Sequence, residues 1–222
     1  MLGRPLNKWL PLHALVTRRP NRLIARYWLQ TMDTATDIPA IIAHIRQALD
    51  ESFARLDAWF DHPEAERQYR PRNGGWTADE ILEHVGLTNH FLLILIDKGA
   101  AKALKNQAGL DLATELRGYQ FADPRLDEIG LHKSFEWMRP AHMEPTGSKP
   151  RAEVRQQLRE QLRHCHRVLD ALPNGEGVLY RTTMTVNELG KIDVYQYVYF
   201  LARHAERHLT QLARIRQEHA AD

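Results

Sequence analysis

The chain has a single cysteine, Cys165, among 222 residues. An intramolecular disulfide is therefore excluded, and so is any zinc site built from several thiolates. A lone thiol suits a reducing compartment, so the cytoplasm is the expected location. No apolar run approaches the roughly 18 residues that a membrane-crossing helix needs, and no membrane partner is expected. Acidic residues are missing from positions 1–31, where Arg4, Lys8, Arg18, Arg19, Arg22 and Arg26 give +6. The whole chain carries only +2, which leaves −4 for everything after that leader. Basic character thus belongs to the leader and not to the body. The body has no basic footprint, and nucleic acid is not expected as a partner. Internal repeats and low-complexity tracts are also missing. What remains, 43% hydrophobic and 26% charged, is an ordinary globular composition with enough apolar side chains for one good core.

Residues 1–36 are interrupted by Pro5, Pro11 and Pro20, and the run from Trp9 to Val16 is a poor signal-peptide core. This segment reads as a poorly ordered basic extension, with Met32 as the simplest true start. An organelle-targeting leader is the functional alternative. From Asp37 the pattern turns helical: Ile38, Ile41, Ile42, Ile45, Leu49, Phe53, Leu56 and Phe60 recur at helical spacing up to Asp61-His62-Pro63. After the Gly74-Gly75 break, Thr77 with Glu80 forms a capping box that predicts a second helix from Ala78 to about Lys98. Its inward stripe is Ile81, Val85, Thr88, Leu92, Leu95 and Ile96, with His84 in the same stripe. Residues 99–150 are irregular and proline-punctuated, a connection long enough either to cover one end of the domain or to help bind a substrate. A third helix is expected over about Arg151 to Leu172, burying Val154, Leu158, Leu162, Cys165, Leu169 and Leu172. His164 and His166, two apart, point to different sides of it. A short irregular or extended link, Val178 to Leu189, leads into the last helix.

That last helix, Asp193 to Gln217, organises the reading. Val194, Tyr197, Leu201, Ala205, Leu212 and Ile215 make its apolar stripe, and His204 and His208 fall within it, one turn apart. A buried imidazole is costly without a hydrogen-bond partner or a metal, and two at this spacing look like half of a metal site. The motif HAERH is not HExxH. Glu206 lies two residues past His204, roughly 200° round the helix, and cannot serve as a base there. A ferritin-like Glu-x-x-His is also absent, since the residues three before the two histidines are Leu201 and Ala205. His84 brings the inward histidines to three, on two helices. The plain alternative is core histidines bonded to each other or to backbone. Gln211, three residues after His208, is within reach of the same place, whereas His90 lies about 240° round the helix from His84.

Taken together, these pieces predict an all-α domain over 37–219: a four-helix bundle with a long crossover between helices 2 and 3. With WTADEILEHV (Trp76 to Val85) on the second helix and LARHAERHLTQL (Leu201 to Leu212) on the fourth, the chain resembles the DinB/YfiT-like family of metal-binding four-helix bundles. The resemblance covers about residues 37–217 and implies His84, His204 and His208 as ligands of a divalent metal such as nickel or zinc. It implies a metal-dependent transferase as the activity class, because characterised relatives include transferases and isomerases that use small thiols such as bacillithiol or mycothiol. A small thiol and a small electrophile are then the expected partners, with a homodimer as the assembly the family suggests. The competing expectations are a metal-binding bundle without catalysis, acting in stress response or partner binding, and a plain bundle with three satisfied histidines. Convergence of the three rings separates the metal readings from the plain bundle. An open cavity beside them, lined by the 119–145 connection, separates the enzyme from a sealed site.

Overall fold

The computed structural model describes residues 36–135 and 140–222. The expected basic extension lies, apart from Thr36, outside the described residues. The fold is mainly helical, and three of the four long helices start where a side chain accepts from the free N–H groups of the first turn, while the one that follows Pro150 has no such cap. Helix α1, Ile38–Trp59, begins at Asp37, whose carboxylate accepts from the Ala40 N–H at 3.0 Å. A single turn, α2 (Glu64–Arg67), follows. Helix α3, Ala78–Asn106, starts with the expected capping box: Thr77 Oγ1 accepts from the Glu80 N–H, and Glu80 Oε2 accepts from the Thr77 N–H. Short helices α4 (Leu112–Leu116) and α5 (Pro124–Ile129) lie in the connection, before α6, Arg151–Asp170. Helix α7, Val194–His219, opens on a second capping box, Asp193 with Gln196.

Among the described residues, α1 packs against α6 and α7, and α3 packs against the same two, so each long helix has two long neighbours. Their shared core includes Ile45, Leu49, Ile81, Leu82, Val85, Leu169, Val198, Leu201 and Ala205, all essentially removed from water. Between α6 and α7 an antiparallel hairpin pairs β1 (Arg181–Met184) with β2 (Gly190–Asp193), Arg181 opposite Asp193 and Met184 opposite Gly190. The link expected to be irregular or extended is therefore largely a hairpin, flanked by the 3₁₀ turn Glu176–Leu179.

Two expectations for the second helix are corrected. It runs to Asn106, not Lys98, because Gly99 does not break it: a Cβ at Gly99 would meet Val194 Cγ2 at 3.3 Å, so the glycine allows α7 a close approach. Leu95 does not face inward and is 42% exposed, because Leu92, Ile96, Gly99 and Ala103 carry the buried stripe. On α6, Leu162 is only half-buried while Cys165 is fully buried. No helix among the described residues is long and apolar enough to cross a membrane.

Candidate metal centre

His84 sits on the second turn of α3, and His204 and His208 on the middle turns of α7; all three are buried, with His204 fully so. The two helices pack together and bring the rings to one place. Ring centres lie 5.4 Å apart for His84 and His204, 4.8 Å for His84 and His208, and 4.6 Å for His204 and His208. One nitrogen from each ring can be chosen so that all three lie within 4.8 Å of one another. Of the α7 pair, Nε2 of His204 and Nε2 of His208 face each other at 3.1 Å.

The outer nitrogens decide what the inner ones can do. His84 Nδ1 lies 2.7 Å from the Met143 carbonyl oxygen. A carbonyl only accepts, so Nδ1 carries the proton and Nε2 is left as the ring's lone-pair atom. His208 Nδ1 lies 3.1 Å from Gln211 Oε1, which fixes that ring in the same tautomer. Burial, reinforced by the neighbouring His84, pushes His208 down to about 3, and burial together with His208 and His84 holds His204 well below the usual histidine range. The two α7 rings are therefore neutral at ordinary pH, the protonation state a metal requires.

The α7 pair has a spacing that fits a divalent ion, with His84 completing a set of three imidazole donors. Nitrogens 3.1 Å apart subtend about 95° at an ion roughly 2.1 Å from each, within the range of metal–imidazole geometry. A ligating histidine typically donates its other ring N–H to a carbonyl or carboxylate oxygen, the arrangement His84 and His208 already have. A cavity of about 290 Å³ opens beside the rings, bounded by Gly75, Trp76, His132, Arg207 and Gln211 together with His84 and His208.

A family model described as the DinB superfamily matches residues 41–212. The chain belongs to the DinB superfamily. Comparison with curated proteins and with solved structures gave no match. The matched DinB region holds all three histidines, the Trp76 ring 4.8 Å from that of His84, and the whole long connection.

The residues set aside on helical angle lie elsewhere. Glu206 pairs with Arg203 beside α5, and His90 is exposed against Phe91. His164 meets Asp97, and His166 meets Asp50 and Arg46, on the outside of α6. Gln211 does reach the site. Sequence reasoning missed the Met143 carbonyl, Glu83, His132 and Arg207. A backbone carbonyl leaves no mark in a sequence. Glu83 does leave one, an acid between Leu82 and His84 in an otherwise core-facing run.

Proposed function

We propose that His84, His204 and His208 hold one divalent metal ion, nickel or zinc, and that this DinB-superfamily chain is a metal-dependent transferase acting on a small thiol and a small electrophile. The observation that carries the reading is the set of three buried, converging imidazoles, two with their protons fixed on the outer nitrogen, beside an open cavity. Three protein ligands leave further coordination positions for an exogenous group, the pattern of catalytic rather than structural zinc. When bound, the ion would acidify a thiol and polarise a carbonyl. The chain's own part is to hold the rings deprotonated and oriented, with Met143 and Gln211 fixing tautomers and Trp76 walling one side. Arg207 and His132 bring cationic or titratable character to the cavity mouth, and His132 comes from the connection. That favours an open reaction site over a sealed one.

The four long helices, with a connection of more than 40 residues between α3 and α6, support a four-helix bundle with a crossover between its second and third members. Residues 37–219 are the domain that carries it, and the fully buried free thiol of Cys165 suits a cytoplasmic setting.

Metal content by mass spectrometry on untagged protein, wild type against His204→Ala, tests the reading. About one ion per chain, lost in the variant, is the expected result, and consumption of an electrophile by the loaded protein with a panel of small thiols then tests transfer. No metal in either protein, with melting unchanged after nickel, zinc or manganese, overturns the site. Stoichiometric metal without turnover of any thiol and electrophile pair would leave the non-catalytic metal-binding bundle.

A further inference from the structure

We propose that Glu83 is a positioning residue: it clamps the 141–147 segment onto α3 and thereby sets the tautomer and orientation of His84 through the Met143 carbonyl. Glu83 precedes His84 on the helix, so the two side chains leave the axis about 100° apart. Glu83 is buried, with 5% of the residue exposed. A buried carboxylate needs several strong donors to be tolerated. Glu83 has three, and all come from the connection. Oε1 accepts from the Thr146 N–H at 3.1 Å and from Thr146 Oγ1 at 2.9 Å, and Oε2 accepts from the Gly147 N–H at 2.9 Å. Two consecutive backbone N–H groups are thus bound by the two oxygens of one group, which fixes both the position and the direction of the chain there.

The clamp lies three residues from Met143, and the intervening chain is stiff. Pro145 fixes its own φ and restricts Glu144 to an extended conformation, which it adopts. On the other side, Met143 closes a 3₁₀ turn, its N–H donating to the Pro140 carbonyl at 3.0 Å. Gly147 has φ +68°, a left-handed conformation that favours glycine, and a Cβ there would meet Glu80 Oε1 at 3.3 Å. The Met143 carbonyl is thereby held where it must accept from His84 Nδ1. Adjacent residues of α3 therefore do complementary work: Glu83 holds the segment, and the segment holds His84.

The inference rests on reading His84 as a ligand, but its first readout needs no metal. In metal-free full-length protein, long-range ¹H–¹⁵N NMR of the histidine rings, with His84 assigned by its loss in His84→Ala, reports the tautomer directly. The wild type should show His84 wholly protonated on Nδ1. In Glu83→Gln, whose amide group faces an N–H it cannot accept from, His84 should become a mixture of tautomers while far-UV circular dichroism stays unchanged. Zinc affinity by chelator competition should fall about 10- to 100-fold, the usual effect of losing a partner that orients a ligand. The cobalt-loaded spectrum should change, and Glu83→Asp should recover part of both. Thr146→Val, which removes only the hydroxyl donor, is the milder variant if Glu83→Gln does not fold. It should shift His84 less and in the same direction. A His84 tautomer unchanged in Glu83→Gln, while the Thr146 and Gly147 amide signals move, overturns the positioning role. Failure of the wild type to take up any metal instead counts against the metal centre and leaves the tautomer result standing.

Discussion

Replacing His204 by leucine separates a metal ligand from a satisfied core histidine, because only the ligand role makes stabilisation by added metal depend on this side chain. His204 is fully buried, and its Nε2 lies 3.1 Å from Nε2 of His208. Leucine is of similar bulk and removes a desolvated polar ring, a gain of about 1–3 kcal/mol. It also strands His208 Nε2, a loss of about 1–3 kcal/mol. The metal-free variant should therefore melt close to the metal-free wild type. A ligand that binds only the folded chain, at a thousand times its dissociation constant, adds about 4 kcal/mol. For a folded unit of this size each kcal/mol moves Tm by roughly 2–4 °C, so saturating zinc or nickel should raise the wild-type Tm by roughly 8–16 °C. His204→Leu should show almost none of that rise. The assay is calorimetry of chelator-stripped protein with stepwise metal addition, with Glu206→Gln and His90→Ala as controls that should keep the full rise. A His204→Leu variant that gains as much from metal as the wild type would falsify the ligand assignment.

Three further outcomes follow from single buried groups. Asp193 is pushed up to about 6, chiefly by burial, against 3.8 for a free aspartate. The folded state therefore binds a proton between those values that the unfolded state does not, and stability falls as pH rises through that window. Asp193→Asn keeps a good N-cap acceptor, so it should lose this component of the pH dependence and be more stable than wild type at pH 8 by up to about 3 kcal/mol in urea denaturation; lower stability at pH 8 would contradict the reasoning. At Gly177 a Cβ would lie 2.7 Å from the buried Tyr195 ring, so Gly177→Ala should cost about 1–3 kcal/mol by overpacking, while Gly109→Ala, with open space around it, should not. Burial pushes the Cys165 thiol up to about 12, so it should resist a thiol reagent at pH 8 in the native protein and react at once in denaturant; rapid native labelling would reopen it as a nucleophile.

Much of the fold could be read in the sequence because its signals are local. The Thr77–Glu80 box marks the start of α3 to the residue, and the stripe from Val194 to Ile215 is buried as the spacing requires. The misjudged places depend on distant partners. Gly99 resembles a helix end when read alone and is a packing notch only because Val194 arrives from about 95 residues away. The hairpin escaped notice because Arg181–Met184 is short and polar, with a turn set by positive φ at Asn187, Glu188 and Gly190. The candidate centre divides the same way. Its histidines were legible because an i, i+4 pair on a buried face has a strong physical meaning in any helix. What makes them usable as ligands lies in the connection that the sequence left irregular: a main-chain carbonyl at Met143 and two N–H groups at Thr146 and Gly147, identical in kind to every other peptide group. Side chains thus specify which atoms meet at the centre, while the backbone of a proline-stiffened segment specifies which nitrogen of His84 carries the proton. A search for further centres of this type therefore gains from asking which buried acid beside a histidine could fold a loop back over it.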